Sequence, residues 1–363
     1  MKRGIRICIL FIGLLLAGCG QTTEKMPPTV ETTQFMEAVT VPTTEAACVF
    51  AETEPEPQEE RFLLTFAGDC TFGSSPSNYY AGYGFIKTVG EDYGYPFRNV
   101  LHYLQEDELT LINLEGPLTD GGNPMQKKHT FRGPTDYSNI LTQNSIEAVT
   151  IANNHTLDYG QTGYDATLQT LNAAGIPYVE RDASLILTTR SGLKVGLYGA
   201  VYYLLDVDTI TAGIRGLKEA GCELIIFAPH WGTEGTYHPT AQQTEVGHAA
   251  IDAGAHIVWG SHPHVLQPIE AYNGGIIYYS LGNFSFGGNI YPRDYDTALL
   301  QQEVIRDESG VRLGQLSIIP ANVSSVSDRN NFQPTPYAPD SEAYSRVLSK
   351  LDGSFSGPNL PLG

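Results

Sequence analysis

Two histidines, His262 and His264, stand two residues apart in the run WGSHPH (259–264), directly after a predicted strand. Imidazole is the commonest ligand that proteins offer to borderline metals. Alternate residues of an extended segment project to the same side, so both rings are expected to face one site. Gly260 is expected to let the backbone turn into that site. Solvated loop histidines also occur in such pairs, so the interpretation as a metal site depends on further candidate ligands elsewhere in the chain.

Upstream, four further apolar runs each stop at polar side chains. Predicted strands end at Asp69, at Glu115, at residues 153–155 and at His230. In open α/β sheets the loops at the carboxyl ends of the strands form the ligand crevice. Carboxylate, amide and imidazole groups gathered there would make a metal site with mixed oxygen and nitrogen ligands. Each cluster taken alone is also compatible with a turn or a capping residue.

Alternating strands and helices must position these strand ends. Helices are predicted over residues 96–106, 135–144, 162–174, 209–220 and 240–253. Three of them are followed by a glycine, which is a typical helix C-terminal signal. After residue 259 the predicted strands follow one another without long helices, which favours antiparallel pairing. The pattern fits two packed sheets with helices outside.

Composition excludes some partners. The chain has 363 residues, 41% of them hydrophobic, and a formal net charge of −19. No basic stripe is visible, so nucleic acid is not expected as a partner. The same charge predicts weak attraction to anionic lipid surfaces.

The N-terminus is typical of an export signal. Three basic residues precede an apolar run over 7–16, which is short for a membrane span. The run ends in LAGC (16–19), which resembles the bacterial lipoprotein box. Residues 1–19 are therefore predicted to be a lipoprotein signal peptide, with Cys19 lipidated and the body anchored on the extracytoplasmic face of the cell membrane. An uncleaved anchor helix and a plain secretory signal are the alternatives.

Beyond Cys19 the chain divides by composition. Residues 20–60 are rich in Thr, Glu and Pro and are predicted to form a disordered tether. Residues 61–320 form the predicted folded domain, and 321–363 a C-terminal extension with a short helix candidate at 341–351. Cys48 falls in the tether. Cys70 and Cys222 are expected to be buried free thiols.

The strand-end motifs, in this order, resemble those of the calcineurin-like metallophosphoesterase superfamily. Within it they are most similar to the capsule-synthesis protein CapA family, which is implicated in poly-γ-glutamate production. The resemblance covers most of residues 61–320 and implies a four-layer α/β/β/α sandwich. The matching stretches are FAGDCTFG (66–73), NLEGPLT (113–119), ANNHTLDYG (152–160), HWGTEGTYHPTAQQ (230–243), DAGAHIVWGSHPHVLQPIE (252–270) and YYSLGNFSFGG (278–288).

In that superfamily two divalent metals share a bridging carboxylate and a bridging hydroxide. The resemblance implies six metal ligands here: Asp69 and His264 for the first metal, Asn154, His230 and His262 for the second, and Glu115 as the bridge. His155 takes the position of the general acid, and the alternative is that it only hydrogen-bonds Glu115 or Asp69. The metals would be Mn, Zn or Fe, and the sequence does not distinguish them.

One ligand of the superfamily is absent. Its Asp-x-His pair reads Asp69-Cys70-Thr71 in this chain, so the histidine is missing. Cys70 would point away from Asp69 along an extended strand. The first metal is therefore expected to bind more weakly than the second, or to complete its set of ligands with water.

Four further residues have two open interpretations each. Asp158 either orients His155 or begins a helix. Glu234 either hydrogen-bonds a metal-ligating imidazole or is a surface carboxylate. Arg132 either holds an anionic substrate group or is a surface cation, and Asn283 either lines the cleft or satisfies a turn.

Two functions from different classes remain open. The first is a metal-dependent hydrolase of the cell envelope that acts on a phosphoester or on a polymer amide. The second is a non-catalytic, metal-containing component of a polymer synthesis or export complex in the membrane. The expected partners are an anionic polymer or a phosphorylated envelope substrate, with the membrane polymer synthase as a further partner. The clustered metal ligands argue against a pure carbohydrate-binding module.

The lipoprotein box predicts the outcome of one substitution. Cys19→Ser is expected to abolish lipid attachment, because the thiol is the acyl acceptor. Metabolic labelling of the producing cells with palmitate measures it. Label that persists in the variant would contradict anchoring through Cys19.

Overall fold

The structure, a computed structural model, describes residues 59–79 and 81–361. The predicted signal peptide, Cys19, Cys48 and nearly all of the predicted tether lie outside the described residues. Within the described ranges no helix has the length and apolar character that a membrane crossing requires.

The described chain alternates strands with helices in its first two thirds. The strands are β1 (Glu60–Thr71), β2 (Leu109–Leu114), β3 (Ala148–Thr150), β4 (Tyr178–Val179), β5 (Ala183–Thr188), β6 (Lys194–Val201), β7 (Leu224–His230), β8 (Ile257–Trp259), β9 (Ile269–Tyr272), β10 (Gly275–Tyr278), β11 (Asn283–Phe286), β12 (Asp296–Asp307), β13 (Gly310–Asn322) and β14 (Thr335–Pro336). The helices are α1 (Phe85–Val89), α2 (Leu101–Gln105), α3 (Ser138–Gln143), α4 (Gly160–Ala174), α5 (Val207–Glu219), α6 (Ala241–Ala253) and α7 (Glu342–Leu351).

The strands form two sheets. The first has the order β14-β13-β12-β1-β2-β3-β4, with β11 also paired to the end of β1. Strands β1 to β4 are parallel, whereas β12 to β14 run antiparallel. The second sheet has the order β5-β6-β7-β8-β10-β9 and is parallel from β6 to β10. The expected antiparallel pairing of the later strands therefore holds for β9 and for β12 to β14, but β10 and β11 join parallel neighbours.

A shared core joins the two sheets face to face. Phe66 and Leu111 of the first sheet pack in one buried cluster with Ile226 and Trp259 of the second. Both β2 and β7 are buried along their whole length, which is typical of parallel strands covered on both faces. The sequence of each strand is accordingly an almost continuous apolar run.

Helices cover the outer face of each sheet. Leu104 of α2 and Ile140 of α3 pack on the first sheet, and Ile214 of α5 and Ala250 of α6 pack on the second. The four layers are therefore α/β/β/α, which confirms the predicted architecture.

Helix termini follow their local signals in most places. α6 begins with a capping box of Thr240 and Gln243, and both α4 and α6 end at a left-handed glycine. The single helix predicted over 96–106 is wrong. A 3₁₀ turn at Tyr95–Phe97 and α2 lie there instead, and the break falls at Asn99 and Val100, both weak helix formers.

The segment after β13 packs on the domain. β14 pairs with β13, and Val347 and Leu351 of α7 enter the core between the sheets. Lys350, only 2% exposed, donates to Asp294 at 2.6 Å and to Asp296 at 2.7 Å. Arg346 binds Asp296 through two further hydrogen bonds of 2.7 and 2.6 Å. Buried charges joined in this way fasten α7 to the start of β12.

Asp296→Asn is expected to lower the free energy of unfolding by about 3 kcal/mol, because Lys350 stays buried after losing a charged partner. Urea denaturation measures the change. Glu308→Gln, in the exposed turn after β12, is the control and should stay within about 0.5 kcal/mol of the wild type. Equal losses in the two variants would contradict the stabilising role of this ion cluster.

The contribution of Asp296 to the free energy of unfolding depends on pH. Burial raises the pKa of Asp296, but Arg346 and Lys350 outweigh it and hold that pKa below its ordinary 3.8. Such a carboxyl stabilises the fold above its unfolded pKa, and the contribution is lost as pH falls through the native pKa. The stability difference between wild type and Asp296→Asn should therefore shrink below about pH 3.8.

Candidate metal centre

The carboxyl ends of five parallel strands from both sheets meet at one place. Asp69 lies near the end of β1, Glu115 directly after β2, Asn154 after β3, His230 at the end of β7, and the WGSHPH run after β8. The two sheets present these ends to each other, so the predicted ligands come together across the sandwich.

Three of these residues form what we call the inner group: Asp69, Glu115 and His230. One potential ligand atom from each lies within 4.8 Å of the others, and all three side chains are fully buried. Asp69 accepts a 2.8 Å hydrogen bond from Asn113 and a 3.3 Å bond from the backbone N–H of His262. Neither carboxylate oxygen of Glu115 has a hydrogen-bond partner within the described chain.

A second set, which we call the outer group, comprises Glu234, His262 and His264. Their ligand atoms also lie within 4.8 Å of one another. His264 joins the two groups, because its Nδ1 is 3.3 Å from Asp69 Oδ2 and its Nε2 is 3.6 Å from Glu115 Oε1.

The histidine pair reaches the site by a different backbone path from the one expected. The segment is a loop, not an extended strand, and His262 and His264 have φ values of 96° and 55°. Positive φ is costly for residues with a Cβ and clusters at functional sites. Gly260 is needed for space, since a Cβ there would lie 2.2 Å from the carbonyl oxygen of Tyr279.

Hydrogen bonds at both ring nitrogens orient His230. Its Nδ1 lies 2.9 Å from Ser261 Oγ, and its Nε2 lies 3.0 Å from Asn154 Oδ1. A proton on Nδ1 donated to Ser261 leaves the Nε2 lone pair directed into the site. Both predicted second-metal ligands on this side, Asn154 and His230, therefore present atoms to the same point.

His155 belongs to a chain of charged groups at the edge of the inner group. Its Nδ1 is 2.8 Å from Asp158 Oδ2, and its Nε2 faces Glu115 Oε1 at 3.7 Å. Lys127 forms an ion pair with Asp158 and donates to the carbonyl oxygen of Asn154 at 2.8 Å. Asp158 thus holds the imidazole so that Nε2 points at the site, as the first of its two interpretations required.

Burial controls the charge states of the histidines. Burial, reinforced by His264 and His155, lowers the pKa of His262 to about 3. Burial also lowers the pKa of His230 well below its usual range and, against the attraction of Asp158, lowers that of His155. These rings are neutral near pH 7, which is the form that binds metals.

The pKa values of His264 and Glu115 are raised, unlike those of the other histidines in the site. Burial would lower the pKa of His264, but Glu115 and Asp69 raise it to about 10. Burial raises the pKa of Glu115 well above its usual range, and although the charge of His264 opposes this, Asp69 and Glu234 add to it. Two close carboxylates in a buried site call for a compensating cation.

The residues fit divalent metal ions. Glu115 Oε1, Glu115 Oε2 and His262 Nδ1 are buried polar atoms that lack a partner in the described chain. Buried polar atoms are normally satisfied, and a cluster of unsatisfied carboxylate and imidazole atoms is what a metal would fill. The candidate ligands for such ions are Asp69, Glu115, Asn154, His230, His262 and His264.

Thr71 occupies the position where the superfamily has the histidine of its Asp-x-His pair. The side chain of Thr71 is only 1% exposed, and its hydroxyl donates a 2.6 Å hydrogen bond to the carbonyl oxygen of Glu115. Cys70 is a buried free thiol that packs towards the helices of the first sheet, which confirms that it points away from Asp69. Cys222 is also a buried free thiol, as expected.

Two cavities border the centre. The first, of about 240 Å³, is lined by His155, Glu234, His264 and Asn283 among others. Asn283 accepts a 2.9 Å hydrogen bond from His264 Nδ1 and lines the cleft, so it orients a candidate metal ligand. The second cavity, of about 230 Å³, is bordered by Asn154.

Arg132 does not line either cavity. Its guanidinium carbon lies 4.9 Å from the ring centre of Tyr79 and 5.0 Å from that of Tyr159. This location favours a packing role over contact with substrate at the metal centre.

Sequence reasoning overlooked several supporting residues. Asn113 bonds Asp69, and Asn153 bonds Asn113 at 3.0 Å. Both stand inside the strand-end motifs, so their position was the available signal. Lys127 lies in a polar loop that gives no such signal.

Comparison with known proteins gives a family. Residues 63–288 match the protein family described as "Bacterial capsule synthesis protein PGA_cap". The chain is 28% identical over 329 residues to the capsule biosynthesis protein CapA of Bacillus anthracis, a match that covers 81% of this chain and 74% of that protein. It is 26% identical over 320 residues to the PGA biosynthesis protein CapA of Bacillus subtilis, covering 80% and 78%.

Solved structures are more distant. A phosphatase from Mycoplasma pneumoniae has a TM-score of 0.46 at 11% identity, over 72% of this chain and 94% of that one. The 5′-nucleotidase precursor from Thermus thermophilus has a TM-score of 0.44 at 12% identity, over 80% and 57%. These scores are too low for a functional argument.

The family match covers most of the α/β/β/α domain, from β1 to the loop after β11, and it includes every strand end that contributes to the inner and outer groups. This chain therefore belongs to the bacterial capsule synthesis protein family PGA_cap, the CapA family that its motifs resemble.

Proposed function

We propose that the chain is a metal-dependent hydrolase of the bacterial cell envelope that acts in capsule or poly-γ-glutamate synthesis. Its substrate would be a phosphoester or an amide of the polymer. The body would be held on the extracytoplasmic face of the membrane by lipidated Cys19. The names of the relatives support the biological process, and the site supports the chemistry.

The observation that carries the proposal is the environment of Glu115. This carboxylate is fully buried, has no hydrogen-bond partner in the described chain and lies between His155 and His264 at 3.7 and 3.6 Å. A site that serves only to stabilise the fold would leave such a group paired. Divalent ions bound there would polarise the attacked group and lower the pKa of water.

The chain's own residues would supply orientation and proton transfer. Asp69, Glu115, Asn154, His230, His262 and His264 are the proposed ligands. Burial lowers the pKa of His155, so the ring is neutral near pH 7. It would take up at Nε2 the proton that the attacking water releases, and would donate that proton to the leaving oxygen or nitrogen. Asp158, itself paired with Lys127, would stabilise the ring in its charged form.

The cavities support an extended, anionic substrate. His129 and Arg293 line the first cavity, and Arg181 lines the second beside Tyr203. The chain carries a net charge of −19, so an anionic polymer would be repelled from most of the surface. Acidic groups also line these cavities, with Glu234 and Asp294 in the first and Glu180 in the second, so a metal ion would be the main attraction for an anionic group. Two cavities bordering one centre leave room for polymer on more than one side of the bond.

A second candidate function is a non-catalytic component of a membrane polymer synthesis or export complex. The absence of a histidine at Thr71 favours it, because a dinuclear hydrolase is expected to need both metals firmly bound. In this case the metal centre would serve structure or polymer binding.

Turnover assays distinguish the two candidates. The full chain, purified in detergent and loaded with Mn²⁺ or Zn²⁺, is incubated with bis(p-nitrophenyl) phosphate and separately with poly-γ-glutamate. We expect turnover of one substrate, which identifies the bond class. His155→Gln is expected to lower kcat by about 10²–10⁴-fold with metal content unchanged.

His248→Gln is the matched control, since His248 lies on α6 and bonds Glu270 away from the centre. Its activity should equal that of the wild type. A fully metal-loaded protein that turns over neither substrate would reject hydrolysis of these bonds and favour the non-catalytic role.

Metal binding should stabilise the fold through Glu115. Mn²⁺ at about 100 times its Kd is expected to raise the free energy of unfolding of the wild type by about 2.7 kcal/mol. Glu115→Gln should lose most of this gain, because a neutral amide would replace a carboxylate proposed to hold the ions. Urea denaturation with and without Mn²⁺ measures the change, with exposed Glu219→Gln as control. A full Mn²⁺-dependent gain in Glu115→Gln would contradict its role as a metal ligand.

A further inference from the structure

We propose that Glu234 is a direct metal ligand, and that with His262 and His264 it forms the position that the missing Asp-x-His histidine would otherwise complete. The inference rests on the proposed metal centre but not on hydrolysis. It replaces the expectation of a first metal with an incomplete set of ligands, and it moves His262, which was expected to bind the second metal, to the first.

Distances support direct ligation. The ligand atoms of Glu234, His262 and His264 lie within 4.8 Å of one another. Ligand atoms at about 2.0–2.2 Å from one ion can be at most about 4.4 Å apart. Glu234 is exposed and has rotatable side-chain bonds, so it can close the remaining few tenths of an ångström.

An unsatisfied atom in the same group points to a ligand. His262 is 6% exposed, and its Nδ1 is buried with no hydrogen-bond partner in the described chain. His262 and His264 also both adopt positive φ. Such conformations are costly for residues with a Cβ and persist where the surrounding structure requires them. A metal that binds both imidazoles gives the strained loop a function.

Main-chain bonds fix Glu234 beside that loop. The N–H of Trp231 donates to Ser261 O at 3.0 Å, and the N–H of Gly235 donates to Pro263 O at 2.8 Å. The segment after β7 therefore runs alongside the WGSHPH loop on both sides of Glu234. Gly235 has a φ of 73°, a conformation that favours glycine and turns the chain immediately after the carboxylate.

A surface role explains Glu234 less well. Its carboxylate makes no hydrogen bond or ion pair within the described chain, although it lines the same cavity as His264. A third carboxylate at this place is unfavourable without a cation and favourable with one.

The ligand type also indicates the metal. Carboxylates are harder ligands than imidazole and suit Mn²⁺, whereas imidazole suits Zn²⁺ and Fe. Replacing a histidine by Glu234 therefore shifts this position towards Mn²⁺. Two divalent ions would also be matched in charge by Asp69, Glu115, Glu234 and one bound anion.

Metal content tests the inference without relying on activity. The full chain in detergent is stripped by chelation and titrated with Mn²⁺, with stoichiometry from elemental analysis and ion–ion coupling from electron paramagnetic resonance. The wild type is expected to bind two ions with a coupled spectrum. Glu234→Gln should keep one ion, bind the second at least about 10–100-fold more weakly and lose the coupling.

Glu245→Gln, an exposed carboxylate on α6, is the control and should bind two ions as the wild type does. Circular dichroism and urea denaturation verify that both variants are folded. Two ions bound with wild-type affinity and coupling in Glu234→Gln would overturn the assignment. A wild type that binds no Mn²⁺ would overturn it together with the metal centre, whereas two ions without turnover would reject hydrolysis and leave the assignment standing.

Discussion

The candidate site depends on the fully buried carboxyl group of Glu115. Within the described residues neither of its oxygens has a hydrogen-bond partner, and its nearest basic groups are His264 and His155 at 3.6 and 3.7 Å. Asp69 lies close to Glu115. Burial lowers the pKa of His230 and His262 and keeps both rings neutral, whereas the carboxylates raise the pKa of His264. A positive charge at this point would satisfy atoms that the protein leaves unsatisfied. The packing of the two sheets keeps these groups together, since each is attached to a strand whose other residues fill the central core.

The inner and outer groups stand on different kinds of backbone. Asp69, Glu115 and His230 stand at or beside the ends of buried strands and have fixed neighbours. Glu234, His262 and His264 stand on loops linked by main-chain hydrogen bonds. Loops on a rigid scaffold commonly carry binding residues. This difference between the inner and outer groups is consistent with two metal positions of different character.

The C-terminal segment contributes to the site as well as to the fold. Leu360 and Pro361 line the first cavity, and the N–H of Leu360 donates to the carbonyl oxygen of Gly235 at 2.9 Å. The ion cluster of Asp294, Asp296 and Lys350 holds α7 in place beneath that segment. Stability of this region and the shape of the cavity are therefore linked.

The sequence alone determined the layers and most of the candidate ligands. Buried strands appear as apolar runs, and Asp69, Glu115, His230 and the two loop histidines stand where those runs end. No single motif identifies these residues as ligands, but the motifs taken together resemble those of a family that has ligands at these positions. The sequence did not determine the break before α2, the positive φ of His262 and His264, or the approach of Glu234. These depend on contacts between segments distant along the chain, such as Gly235 with Pro263. Lys127 reaches Asp158 for the same reason: only the packed sandwich brings a loop cation to a buried carboxylate, and no spacing in the sequence encodes that distance.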